Sequence, residues 1–270
     1  AGLTGNFLIT PTEPNDQSEL YPALFALKQK APHLRLFLTI GGWNFNAPNA
    51  PTKALFSRMI SKASYRKEFI NSCIDYAHRF HFDGIDIDWE YPGDLTRGGS
   101  PDDFKNFQEF LKECRTSFKA ATPSLGLSCA FPAHVPAGLS DEVQKNPDLF
   151  YRFIADCAKN LDRIAIMAYD YHTPDDGSLI TGVNAPLLRD TSPKSPYYIQ
   201  KTLALYLNNG VPKEKILLGI PTFGHSYADV LDLQTNDTGA GKPFKKSGAK
   251  GPSTQIPRLL AYYEIADMIK

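Results

Sequence analysis

Apolar residues along this chain recur with two alternating periods. From Gln17 to Lys30, Leu20, Leu24 and Leu27 fall at near-helical spacing and predict an amphipathic helix. Leu34 to Ile40 is a β-rich apolar strand ending at Gly41-Gly42, and Lys53 to Phe80 returns to helical periodicity, broken near Ala63-Ser64. Phe82 to Glu90 reads as a strand and Asp102 to Ala120 as a helix, with Asp102 and Asp103 favourably placed for its first turn. Leu125 to Phe131 and Arg163 to Tyr169 are further strands, with a helix at Asp148 to Lys159 between them. A helix from Pro196 to Asn208 ends at Gly210 and leads to a strand at Ile216 to Pro221. Strands separated by helices build βαβ units and a parallel sheet. An α/β fold of (β/α)8 TIM-barrel type is the natural candidate, with its chemistry at the C-terminal strand ends. After Tyr227 the pattern changes: Ala228 to Pro257 is rich in Gly, Lys, Ser and Thr without clear periodicity, and order resumes at Leu259 to Glu264.

Composition narrows the function classes. A chain of 270 residues with 42% hydrophobic content can bury the core of one large domain. Lysine plus arginine equals aspartate plus glutamate, 29 each, so net charge points to neither nucleic acid nor an anionic membrane. No apolar run approaches the ~18 residues of a membrane span. The start, Ala1-Gly2-Leu3-Thr4, lacks the basic and apolar stretches of a signal peptide, so the chain is processed, cytoplasmic or cut from something longer. Cys73, Cys114 and Cys157 fall on expected helices and Cys129 on a strand, without a C-x-x-C pair; they read as buried free thiols, not zinc ligands. Asn236-Asp237-Thr238 is a glycosylation sequon, at a frequency close to chance.

The densest chemistry lies in Asp83-Gly84-Ile85-Asp86-Ile87-Asp88-Trp89-Glu90-Tyr91-Pro92. On a strand, alternate side chains share one face at roughly 6–7 Å per step. Asp86, Asp88 and Glu90 then form a column, with Ile85, Ile87 and Trp89 on the other side. Close carboxylates facing an interior cannot all ionise comfortably, which raises one pKa and keeps a proton available to a general acid. A solvated strand face or a cation site are the competing readings; the flanking Ile and Trp argue for burial, and a hard cation would draw more oxygen ligands from loops.

This run resembles the D-x-x-D-x-D-x-E signature of glycoside hydrolase family 18, the chitinases and their relatives. Four further segments resemble that family's motifs in order: Thr39-Ile40-Gly41-Gly42-Trp43-Asn44-Phe45, Cys129-Ala130-Phe131-Pro132-Ala133, Met167-Ala168-Tyr169-Asp170, and Gly219-Ile220-Pro221-Thr222-Phe223-Gly224-His225. The resemblance implies a catalytic barrel over residues 1–227 and, over 228–270, the start of a small α+β insertion that follows the seventh strand. It also implies chitin or N-acetylglucosamine oligosaccharides as partners, a monomer, no metal or organic cofactor, and secretion, with the lysosome as the alternative.

The implied mechanism is retaining and substrate-assisted. Glu90 is the acid and then the base, Asp88 accepts the acetamido N–H, and Asp86 shares a proton with Asp88 so that the pair titrates as a unit. Tyr169 holds the acetamido carbonyl. Met167, Asp170, Trp43, Tyr91 and Phe223 line sugar subsites, Trp43 as a stacking platform. Asp83, of opposite parity, reads as structural, with Gly41 and Gly42 making room at the strand end. The chain departs from the family pattern in three places. No tryptophan follows Met167-Ala168-Tyr169-Asp170, Phe223 replaces a tyrosine, and His225 stands where arginine is common, which puts substrate length preference and pH optimum in doubt.

Two alternatives stay open: a chitin-oligosaccharide-binding lectin without activity, which the retained Glu90 argues against, and an endo-β-N-acetylglucosaminidase. The strands beginning at Leu34, Phe82, Leu125, Arg163 and Ile216 fall short of the eight that close such a barrel. By the resemblance, the first strand, most of the second and the eighth lie outside this chain. The expectation is a piece of a longer secreted chitinase, inactive and poorly soluble alone.

Overall fold

The computed structural model describes residues 1–189 and 196–270. By contact density the chain divides into two compact units. One holds Ala1–Ile166 and Tyr206–Leu217, the other Met167–Leu205 and Leu218–Lys270.

The first unit opens on an antiparallel pair, β1 (Gly2–Leu3) and β2 (Ile9–Thr10). The Ala1 amine donates to the Thr39 carbonyl at 2.8 Å, and Gly41 N–H donates to the Ala1 carbonyl at 3.3 Å. A π-turn at Asp16–Leu20 leads into helix α1 (Tyr21–Lys30). The helix forms where expected, but its leucine stripe is not its packing face. Leu20, Leu24 and Leu27 are exposed. The aromatic pair at Tyr21 and Phe25 docks instead, edge-on against Phe82 at 5.1 and 5.9 Å between ring centroids. Larger rings at i and i+4 bury more area per residue than the leucines would.

Strand β3 (Phe37–Gly41) follows, then helices α2 (Leu55–Ile60) and α3 (Ala63–Arg79), the break falling at Ser61-Lys62. Next come β4 (Gly84–Asp88), α4 (Asp103–Ala120) and β5 (Gly126–Pro132), then α5 (Asp141–Lys145), α6 (Asp148–Ala158) and β6 (Arg163–Met167). After α7 (Ile199–Asn208), which starts in the second unit and ends in the first, β7 (Ile216–Leu218) completes the sheet.

Among the described residues the sheet has five strands in the order β3-β4-β5-β6-β7, the same five the periodicity marks. β3, β4 and β5 run parallel, with Thr39 beside Asp86 and Asp86 beside Ser128. Two glycines set the spacing at the entry end. A Cβ at Gly84 or Gly126 would sit 2.5 or 2.4 Å from the Phe37 ring, so the ring lies where side chains would otherwise stand.

The sheet is covered by helix faces at helical spacing: Phe69, Ile70, Cys73 and Ala77 on α3, and Phe107, Phe110, Leu111, Cys114 and Phe118 on α4. Phe150, Phe153, Ile154 and Cys157 do the same on α6. Phe104 stacks flat on Phe153 at 4.1 Å and 7°. All four cysteines are buried and free. Burial pushes every one of these thiols far up.

In the second unit, β8 (Phe223–His225) pairs antiparallel with β11 (Leu259–Ala261), and β9 (Tyr227–Val230) with β10 (Phe244–Ser247). The aperiodic stretch from Ala228 to Pro257 therefore holds a hairpin. Helix α8 (Tyr262–Ile269) carries the buried Glu264 in its first turn, where it accepts from Ala261, Ser253 and Thr254 N–H groups at 2.6 to 2.9 Å. Among the described residues, no helix is long and apolar enough to cross a membrane.

Candidate active site

The parallel sheet places its carboxylates at and just beyond the C-terminal end of β4. Asp86 and Asp88 are half-buried and Glu90 is buried, while Ile85, Ile87 and Trp89 point the other way into the core. Trp89 stacks on Phe56 at 5.3 Å and meets Phe107 edge-on at 5.5 Å. The alternation is therefore that of a strand whose apolar face is anchored by rings.

Each carboxylate has a different environment. Asp86 accepts from the Thr39 hydroxyl at 3.1 Å and from the Ser128 hydroxyl at 2.6 Å, one on each flanking strand. Asp88 differs: its Oδ1 is buried without a hydrogen-bond partner. Burial, and after it the negative charge of Asp86, push the Asp88 carboxyl up to about 6. Glu90 bonds to the Tyr91 hydroxyl; burial chiefly, then the charge of Glu90 and this bond, lift the Tyr91 phenol far above its ordinary value. Tyr91 is thus placed against Glu90. Asp83, at the other end of the strand, meets Lys28 Nζ at 2.6 Å and the Leu36 N–H at 2.7 Å, with Arg35 at 3.6 Å.

Gly41 and Gly42 have φ of 112° and 99°, and a Cβ on Gly41 would lie 2.1 Å from the Asp88 carbonyl oxygen. Gly42 N–H donates to that same carbonyl at 2.8 Å. The chain then turns through a single 3-10 turn at Trp43–Asn46, and Trp43 is 57% exposed, available to a flat ligand. Arg97 lies against the Trp43 ring, its guanidinium carbon 3.6 Å from the ring centroid.

The second unit gathers its own cluster. Tyr169 meets Phe223 edge-on at 5.7 Å, and Phe223 meets His225 at the same distance. His225 Nε2 bonds Asp170 at 2.7 Å, while His225 Nδ1 is buried without a partner. Asn184 ties the group together, its amide oxygen accepting from Asp170 N–H at 2.9 Å and its amide nitrogen donating to the Phe223 carbonyl at 3.1 Å. Met167, half-buried, closes β6 two residues before Tyr169.

Sequence reasoning missed Ser128, Arg97 and Asn184, and read Thr39 only as the first residue of a family motif. Thr39 and Ser128 were findable by laying the strands side by side, because both stand at the register of Asp86. Arg97 carried no signal beyond its position in a glycine-rich loop.

Carboxylates at the C-terminal edge of a parallel α/β sheet stand where α/β folds of barrel type carry their chemistry. The model of the family "Glycosyl hydrolases family 18" matches residues 2–270, and the chain belongs to that family. It is 33% identical to mouse chitotriosidase-1 over 98% of this chain and 53% of that protein. Among solved structures, a mutant of Ostrinia furnacalis group II chitinase catalytic domain 2, in complex with penta-N-acetylchitooctaose, superposes with a TM-score of 0.81 at 27% identity. That match covers all of this chain and 66% of the other. Human YKL-39, described as a pseudo-chitinase with retained chitooligosaccharide binding properties, gives 0.79 at 28% identity, covering 99% of this chain and 68% of that one. The chain spans between about half and three fifths of the length of the curated relatives it matches, 53% and 61% for two of them.

Proposed function

We propose that the protein of this chain hydrolyses β-1,4-linked N-acetylglucosamine polymers by a retaining, substrate-assisted route. The observation that carries this reading is the unpartnered, buried Oδ1 of Asp88 beside the buried Glu90. An acceptor kept without a donor invites one from the ligand, and an acetamido N–H supplies it. Glu90 gives its proton to the glycosidic oxygen as the bond to the anomeric carbon breaks. The acetamido carbonyl oxygen attacks that carbon, forming an oxazolinium ion while the leaving sugar departs. Water then loses a proton to ionised Glu90 and opens the ring, with net retention.

Asp88 accepts the acetamido N–H and balances the positive charge; Asp86, strapped by two hydroxyls, keeps the column in place. Tyr169 holds the acetamido carbonyl by the resemblance of its motif, with Met167, Asp170 and Phe223 lining sugar subsites. Trp43 stacks a sugar ring. Tyr91 serves at Glu90 more directly than as subsite lining, since its hydroxyl already bonds that carboxylate. We also propose residues 1–227 as barrel and 228–270 as the start of the insertion, and a secreted monomer, with the lysosome as the alternative compartment; these rest on the resemblance alone.

A second reading, oligosaccharide binding without cleavage, draws support from the likeness to human YKL-39. Turnover of a chitin oligomer against a high-mannose glycopeptide, in the full-length protein, separates hydrolase, glycopeptide-directed enzyme and lectin. Glu90→Gln is expected to leave less than a few per cent of turnover with binding intact. Deacetylated chitosan should stay uncut, and its efficient cleavage would point to a protein nucleophile.

A further inference from the structure

The loop from Tyr91 to Asp103 holds a charge that the proposed chemistry does not use. Arg97 is buried. Among the described residues no carboxylate pairs with it. Its Nε donates to the Glu90 carbonyl at 2.6 Å, its Nη2 donates to the Trp43 carbonyl, and its guanidinium carbon lies over the Trp43 ring, 3.6 Å from the centroid. One rigid, planar group therefore touches the backbone of the acid and both the backbone and ring of the exposed tryptophan.

Nothing in the loop lets that group drift. Asp94 Oδ1 accepts from Thr96 N–H at 2.9 Å, Thr96 Oγ1 at 2.6 Å and Arg97 N–H at 3.2 Å. Asp103, with no exposure, accepts from Gly93 and Ser100 N–H groups at 3.1 and 2.7 Å and from the Ser57 hydroxyl at 2.7 Å. A side chain at Gly98 would reach the Lys53 carbonyl at 2.5 Å, so the loop is pressed onto the segment after Trp43. The arginine is a strut with both ends fixed.

Resting on the reading of Glu90 as the acid and Trp43 as a sugar platform, we propose that Arg97 is a positioning residue that locks the two into one rigid body, so that occupancy of Trp43 by a distal sugar is converted into rate at Glu90. A guanidinium fixes the separation of two carbonyls because its N–H directions are set by the plane. A sugar stacked on Trp43 then raises kcat, not affinity alone, because binding energy gained at a distance is spent on orientation at the acid.

The test is kcat and KM for chitin oligomers of increasing length, in the full-length protein, for wild type, Arg97→Met, Arg97→Lys, Trp43→Ala and the Arg97→Met/Trp43→Ala double variant. In the wild type kcat is expected to rise with length, and Trp43→Ala to remove that rise, about tenfold on the longest oligomer. In the Arg97→Met background the same tryptophan change should cost less than about threefold, because the route between the two sites is already cut. Arg97→Lys keeps the charge but not the fork, and should lose the length dependence of kcat; it also serves if Arg97→Met melts near room temperature by circular dichroism. Multiplicative losses, or a length dependence that survives Arg97→Lys, overturn the proposal. Absence of turnover in the wild type overturns the hydrolase reading and this one together, whereas turnover with multiplicative losses overturns this one alone.

Discussion

Two aspartates, Asp88 at the end of β4 and Asp83 just before its start, respond to pH in opposite senses, and their surroundings explain why. Asp88 rises from its ordinary value of 3.8 to about 6 through burial and the charge of Asp86. Between those values the folded state binds more protons than the unfolded one, so its ionisation costs stability increasingly as pH rises through the window, and fully above it. Asp88→Asn should therefore stabilise the protein by about 1–3 kcal/mol at neutral pH and by almost nothing near about pH 3.5, while turnover falls. Urea melts at the two pH values check it. For Asp83, burial opposes ionisation, but the Lys28 ammonium, the Leu36 N–H and Arg35 more than reverse it and hold the carboxyl low. Its contribution is complete above the ordinary value and is lost as pH falls through the lower, folded one. Asp83→Asn is expected to cost about 1–3 kcal/mol at neutral pH, and the cost should vanish in acid. The opposite parity of Asp83 to the acidic column was legible in the sequence. The hydroxyls on Asp86 were not, because they come from neighbouring strands and depend on register.

At the scale of elements, the turn after β3 is where the backbone is least replaceable. Gly41 combines a left-handed φ with a carbonyl oxygen 2.1 Å from where a methyl would stand. Gly41→Ala should therefore cost more than about 3 kcal/mol, read as a lowered urea midpoint, whereas Gly5→Ala, with nothing within 4 Å, should cost little. The five sheet strands were readable because each is an apolar run between helices. The hairpins were not. β1 and β2 have two residues each, too short for any period, and β9 and β10 carry lysines and an aspartate that alternation cannot separate from a loop. The docking face of α1 was misread because leucine spacing outweighed the two aromatic positions that make the contact.

For the whole molecule, the alternation of strand and helix was enough to give the sheet, and the four ordered motifs with the acidic run were enough to give the family. The division at Ile166 and Leu217 was not, since contact density has no counterpart in local pattern. β7 lies at one edge of the sheet with Leu217 and Leu218 exposed, followed by Ile220 at 79% exposure. Residues 1–270 by themselves should bind a hydrophobic dye and self-associate as concentration rises, which light scattering would register. A monodisperse, dye-silent solution would count against it.

The buried thiols give this molecule four built-in clocks. Cys73, Cys114, Cys129 and Cys157 stand on α3, α4, β5 and α6, so three covering helices and one sheet strand of the first unit each carry one sulfur. A disulfide reagent cannot reach any of them until its own element opens, and the order in which they become modified is the order in which those elements loosen. Mass spectrometry of partly labelled protein should find all four slow under native conditions and fast in denaturant. If Cys129, on the strand beside the acidic one, is the last to react, the acidic strand and its neighbour are the part of the fold that lets go last.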